Sequence, residues 1–205
     1  MKYLIFFIIL TSNVYALTPK EIYEKYAKAV VRIDIYYQGV PLSFGSGFFI
    51  SGKGHLVSNA HVIELAFKPG YSAIITTKEG KEFRNKDIKV AGCRDPRYID
   101  LCLLKVNALT PHWIPVDQSP ITPGEKISVI GHPRGNEWTI SEGIISGLRK
   151  FNSNYIKTND PKTAIKEVQI SAPVSPGNSG GPIISENGKM VAITTWVRND
   201  SQNIN

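Results

Sequence analysis

Apolar and polar residues alternate in short stretches along most of this 205-residue chain, the period-two pattern of half-buried β-strands. In the first half the runs are Val30–Tyr36, Ser46–Ile50, Leu56–Ala60, Tyr71–Thr77, Ile88–Ala91 and Leu101–Val106. The second half holds Lys126–Ile130, Thr139–Leu148, Ala164–Ser171, Pro182–Ser185 and Lys189–Val197. Turns built from Gly, Asn, Asp and Lys separate them, and the pattern predicts an all-β barrel architecture. A short helix precedes the strands. Thr18-Pro19-Lys20-Glu21 reads as a capping box with proline at the first helical position, and Ile22, Tyr23, Tyr26, Ala27 and Val30 then fall toward one side. Pro111, Pro115, Pro120 and Pro123 crowd the segment after Leu109 and divide the strands into two sets. The expected units are a first barrel over residues 17–110, a Pro-rich connector over 111–124 and a second barrel over 125–205.

Chemistry concentrates at Gly177-Asn178-Ser179-Gly180-Gly181-Pro182. Glycines on both sides of a serine let the backbone adopt conformations that other residues avoid, and they leave room for a substrate chain. Such a turn can mount a nucleophile and aim backbone N–H groups at a reacting carbonyl. The same letters fit the elbow of the α/β-hydrolases, so the order of the partner residues has to decide. That fold needs its acid and histidine after the serine. Here His55, His61, His112 and His132 all precede Ser179, and among the aspartates only Asp200 follows it. A subtilisin order would need an aspartate ahead of the histidine, and only Asp34, inside an apolar strand, precedes His55 and His61. The remaining order, histidine then aspartate then serine, is that of chymotrypsin-like double β-barrels.

His61 ends the apolar run that begins at Leu56, flanked by the small residues Ser58 and Ala60, which leave space for an imidazole. His55, His112 and His132 read as loop histidines beside glycine or proline. Of the aspartates between His61 and Ser179, Asp95 and Asp160 precede prolines, and Asp87 and Asp117 lie in polar surroundings. Asp100 instead opens Leu101-Cys102-Leu103-Leu104-Lys105-Val106, at the edge of a buried strand. A carboxylate there is costly unless paired, and an imidazole N–H is a suitable partner. His61, Asp100 and Ser179 are therefore the candidate catalytic residues.

The stretches Gly45-Ser46-Gly47-Phe48-Phe49-Ile50, Val57-Ser58-Asn59-Ala60-His61-Val62-Ile63, Asp95-Pro96 through Val106, Ile130-Gly131-His132-Pro133-Arg134-Gly135 with Gly143-Ile144-Ile145-Ser146, and Ser175 through Pro182 together resemble trypsin-like serine proteases of the HtrA/Deg (high-temperature-requirement) type. The resemblance runs from about Ala29 to the C-terminus. It implies an oxyanion hole made by the N–H groups of Gly177 and Ser179. It places Pro173 and Val174 on the floor of the primary specificity pocket, where the lack of an acid implies a small or aliphatic residue before the cut. It likens Thr195-Trp196 to the Ser-Trp pair of such enzymes, with Thr195 bonding Asp100 and Trp196 walling the substrate groove. The polar stretch Phe151 to Ile165 corresponds to a loop that takes part in activation in that family. The family continues beyond the position of Asn205 with one more barrel strand, so either this protein ends early or the sequence is a fragment.

The N-terminus adds a compartment. Lys2, the apolar run Leu4 to Leu10 and the small residues around Ala16 read as a secretory signal over residues 1–16, with export to the periplasm or beyond and a mature start near Leu17. The apolar run is far shorter than the ~20 residues of a membrane span, so stable membrane insertion is not expected. An oxidising compartment permits a disulfide between Cys93 and Cys102, which could face each other across a hairpin; two buried thiols are the alternative. The formal net charge is +7, yet Lys and Arg are scattered with no aromatic-interleaved basic stripe, and nucleic acid is not an expected partner. No spacing of Cys and His suggests a metal, and no cofactor is called for. The sequence thus points to an exported serine endopeptidase acting on unfolded polypeptides. A non-hydrolytic chaperone or binding module and an esterase on the same scaffold are the alternatives. Nothing in these residues supports a particular oligomer.

Overall fold

The structure is a computed structural model that describes residues 15–93, 99–150 and 166–195. Twelve strands and two α-helices fill these residues, with short 3₁₀ turns between them. Helix α1 (Pro19–Tyr26) starts as the sequence demands. The Thr18 hydroxyl accepts from the Glu21 N–H, and the Glu21 carboxylate accepts from the Thr18 N–H at 2.8 Å. Ile22, Tyr26, Ala27 and Val30 are buried, whereas Tyr23 is only partly so.

The first sheet comprises β1 (Val30–Tyr37), β2 (Val40–Phe49), β3 (His55–Ser58), β4 (Tyr71–Thr77), β5 (Glu82–Arg84), β6 (Ile88–Cys93) and β7 (Cys102–Val106), in the order β5-β4-β1-β2-β3-β7-β6. The second comprises β8 (Lys126–Gly131), β9 (Thr139–Lys150), β10 (Lys166–Ile170), β11 (Pro182–Ser185) and β12 (Met190–Ile193), in the order β10-β9-β8-β11-β12. Alternation explains the strands well. In β1, Val31, Ile33 and Ile35 enter the first core while Arg32 and Asp34, on the opposite face, pair with each other at 2.8 Å. A second core, with Ile127, Val129, Ile145 and Ile183, lies within the other sheet. A third joins the two halves, where Ile22 and Tyr26 of α1 pack with Phe48, Val57, Ile130 and Ile184. The helix is therefore a strap over the seam. The double β-barrel expected from the residue order is the architecture observed.

Several local expectations shift. The strand expected at Ser46–Ile50 begins at Val40, because β2 pairs with β1 along its full length apart from a bulge near Ile35. The strand expected at Leu56–Ala60 runs from His55 to Ser58 and gives way to α2 (Ala60–Ile63). His55 thus opens a strand rather than sitting in a loop, and β5 has no counterpart in the sequence reading. The connector between barrels is irregular, but it contributes Ile114 to the seam core. Cys93 and Cys102 are register partners across β6 and β7 and form a disulfide. Among the described residues no helix is long and apolar enough to cross a membrane. The signal run Leu4 to Leu10, Asp95, the loop Phe151 to Ile165, Trp196 and the C-terminal strand question all lie outside the described residues.

Candidate active site

His61 is the second residue of the one-turn helix α2, not the end of a strand. The first N–H groups of any helix lack partners within it, and the residue before α2, Asn59, would ordinarily supply its side chain as a cap. Here Asn59 makes no such bond. The cap comes from a distance: Asp100, two residues before β7, accepts the His61 N–H on Oδ1 at 2.9 Å. Its other oxygen, Oδ2, lies 2.5 Å from His61 Nδ1. One carboxylate thus holds both the backbone and the ring of the histidine. The Asp100 side chain is 14% exposed and that of His61 44%, so the acid is covered while the imidazole is open to solvent. Nε2 of His61 has no hydrogen-bond partner among the described residues.

The Asn59 amide, released from capping, donates to the Asp100 carbonyl at 2.7 Å and to Thr195 Oγ1 at 3.2 Å. This corrects the expected contact of Thr195 with the Asp100 carboxylate: the hydroxyl meets Asn59 and, at 3.4 Å, the Ile193 carbonyl. Asn59, at 0% exposure, is a site residue the sequence reading passed over. An asparagine before a one-turn helix looks like an ordinary cap, and only the fold reveals its other bonds.

Ser179 sits between Gly177 (φ 101°) and Gly180 (φ 84°), both in the left-handed region where a side chain is disfavoured. Its carbonyl accepts from the Ser46 N–H of β2 at 2.8 Å, and the Gly180 N–H donates to the Thr194 carbonyl at 2.8 Å. Both barrels hold the serine turn. The Ser179 hydroxyl donates to the Thr195 carbonyl at 3.3 Å, not to His61. The N–H groups of Gly177 and Ser179 have no acceptor among the described residues, so both are free to bind an oxyanion. Val174 is half-buried against the second core, while Pro173 is exposed with its carbonyl receiving the Ser141 hydroxyl at 2.8 Å. Of the residues expected at the site, all but Trp196 are therefore located.

His132 lies in a loop as expected, between β8 and a 3₁₀ turn, but is fully buried there, with Nδ1 2.9 Å from Ser46 Oγ and its ring edge-to-face with Trp138. Burial, with Arg32 and Lys78 as nearby positive charges, pushes its imidazole from the ordinary 6.5 down to about 3. The unfolded chain then binds a proton that the native state refuses whenever the pH lies between those values. Stability is fully present above pH 6.5 and falls as pH drops toward 3, by up to about 1.4 kcal/mol per pH unit. Urea midpoints for wild type and His132→Asn at pH 7.5 and 4.5 check this. The wild type should lose more stability on acidification than the variant, and parallel losses would refute it.

These features agree with the comparisons to known proteins. Residues 45–193 match the family model described as the trypsin-like peptidase domain. The chain is 35% identical over 168 residues to Protease Do-like 1, chloroplastic, of Arabidopsis thaliana, covering 79% of this chain and 35% of that protein. It is 36% identical over 161 residues to the protein named "Probable periplasmic serine endoprotease DegP-like" in Bartonella henselae, covering 77% of this chain and 28% of that one. The chain thus spans about a third of the length of these curated relatives. The solved structure of the HtrA-type protease AlgW with a tripeptide matches with a TM-score of 0.71 at 27% identity, over 91% of this chain and 58% of that one. A serine endoprotease structure from Yersinia pestis, at 23% identity and a TM-score of 0.72 over 91% of this chain and 60% of that one, supports the fold alone. With half-barrels, serine turn and family model in agreement, the chain belongs to the trypsin-like peptidase domain family, and its relatives are HtrA/DegP serine proteases.

Proposed function

We propose that this chain is the protease unit of an exported serine endopeptidase that hydrolyses unfolded polypeptides through Ser179, His61 and Asp100. The observation that carries the reading is the double grip of the Asp100 carboxylate on His61, at 2.9 Å and 2.5 Å. It sets Nδ1 as the protonated nitrogen and leaves Nε2 as the base. Ser179 attacks the peptide carbonyl as His61 takes its proton, and Asp100 stabilises the imidazolium. The tetrahedral oxyanion is received by the N–H groups of Gly177 and Ser179. His61 then protonates the leaving amine, and water reverses the sequence on the acyl-enzyme. Pro173, Val174, Thr195 and Trp196 are the proposed substrate contacts. The export part of the proposal is supported by the N-terminal pattern and by the periplasmic designation of the Bartonella henselae relative.

One observation favours a second reading, a non-hydrolytic binding module: the Ser179 hydroxyl rests on the Thr195 carbonyl rather than on His61. The two differ in whether the serine is nucleophilic. A fluorophosphonate probe should label the wild type and not Ser179→Ala, and denatured casein should be cleaved. Folded protein that neither takes the probe nor cuts casein would establish the binding module instead.

A further inference from the structure

The free N–H of Gly177 belongs to the peptide whose carbonyl is Pro176, and the next carbonyl is that of Gly177 itself. With no side chain and φ at 101°, Gly177 is the residue about which these two peptide planes turn most easily. Each plane is held from outside the serine turn. The Arg134 N–H donates to the Pro176 carbonyl at 2.7 Å. The Ser46 hydroxyl donates to the Gly177 carbonyl, also at 2.7 Å. Arg134 is itself left-handed at φ 51°, a strained state for a non-glycine, which the turn accepts while directing its N–H at Pro176.

The tautomer of His132 follows from this arrangement. Ser46 Oγ has a single proton, and the Gly177 carbonyl can only accept, so that proton is committed. The 2.9 Å contact between Ser46 Oγ and His132 Nδ1 must then be an N–H donated by His132. The imidazole is neutral with its proton on Nδ1, and Nε2 is left as a buried nitrogen with no partner. A leucine would avoid that orphaned atom, whose desolvation costs about 1–3 kcal/mol. The compensating contact is the bond to Ser46. The His132 carbonyl also abuts Gly177, where a Cβ would lie 2.2 Å from it. Ser46 is on β2 of the first barrel and His132 follows β8 of the second, so the strut crosses the seam.

We propose that His132 and Ser46 are positioning residues that lock Gly177 with its N–H facing the oxyanion, His132 by orienting the Ser46 hydroxyl and Ser46 by holding the Gly177 carbonyl. The proposal rests on the endopeptidase reading. Losing an oxyanion donor outright costs about 10²–10³ in turnover, and loosening one costs less. Ser46→Ala and His132→Leu should each lower kcat about 10–100-fold with KM changed less than about threefold. Asparagine places an N–H at the same distance along the side chain as Nδ1, so His132→Asn should stay near wild-type kcat. The double variant Ser46→Ala/His132→Leu should be no worse than Ser46→Ala alone, because both act through one bond.

The experiment measures kcat and KM on a peptide substrate, with the affinity of a peptide boronate that mimics the tetrahedral intermediate and the affinity of the corresponding product peptide. Boronate affinity should fall in step with kcat/KM while product affinity holds. Wild-type protein without turnover would defeat the endopeptidase reading on which the proposal rests. Active wild type with Ser46→Ala equal to it in kcat and boronate affinity would overturn the strut alone. So would additive losses in the double variant, or a loss in His132→Asn as large as in His132→Leu. If His132→Leu does not fold, Ser46→Ala decides.

Discussion

Replacing Asp100 by asparagine is expected to lower peptide turnover by about 10⁴-fold while the protein stays folded. The magnitude follows from the two bonds the carboxylate makes. The His61 backbone N–H, 2.9 Å from Oδ1, can only donate, so it claims the single oxygen of an asparagine. The amide NH₂ must then occupy the place of Oδ2, 2.5 Å from His61 Nδ1. An N–H directed at Nδ1 forces that nitrogen to accept and moves the ring proton to Nε2, where it blocks proton transfer from Ser179. The charge that stabilises the imidazolium is lost as well. Ser179→Ala and His61→Ala should each reduce turnover to background. Asp117→Asn is the control: that carboxylate accepts the Ser119 N–H at 3.0 Å and lies 3.9 Å from Lys189 Nζ in the connector between the barrels. Steady-state kinetics on one peptide substrate, with circular dichroism to verify folding, checks the set. Equal losses for Asp100→Asn and Asp117→Asn would mean the acid is misassigned.

Gly180→Ala is expected to destabilise the fold by about 3 kcal/mol or more, far beyond the same change at Gly80. Both glycines have positive φ, 84° and 81°, so backbone strain is common to the two. Space separates them. A Cβ at Gly180 would lie 2.1 Å from the Ser46 carbonyl oxygen and 2.4 Å from Ser58 Oγ, whereas nothing lies within 4 Å of one at Gly80. The Ser58 hydroxyl already donates to the Ser46 carbonyl at 2.7 Å, so neither atom can withdraw without breaking a buried bond. Gly80→Ala should cost only the strain, about 1–2 kcal/mol. Urea unfolding with m-values compared between variants measures the difference. Similar midpoints for the two would show that the serine turn yields to the extra methyl.

The strands were legible because one face of each is buried, and β1 shows why. Val31, Ile33 and Ile35 are buried while Arg32 and Asp34 point away, and that alternation is written directly in the residues. The candidate triad stands out in the sequence for a different reason. A glycine-walled serine, a histidine among small residues and an aspartate opening an apolar strand are each local features, and their order along the chain excludes rival folds. Helix α2 was not legible: Ala60-His61-Val62-Ile63 continues an apolar run and looks like more strand. Its cap is a carboxylate 39 positions further along. Glu82–Arg84 escaped notice because three residues are too few for a period to register.

By itself, then, the sequence determined the all-β class, the helix set by Thr18 and Glu21, and the choice of serine, histidine and aspartate as candidates. Periodicity, capping chemistry and chain order are all properties of neighbours or of order. Tertiary structure alone decided the bonds between distant segments. Asn59 bridges Asp100 and Thr195 rather than capping its own helix. His132, beside a glycine and a proline, has the surroundings of a surface loop residue and is buried against Ser46. A side-chain hydrogen bond depends on which atoms packing brings within about 3 Å, and no local pattern encodes which strand of one barrel will lie against which turn of the other.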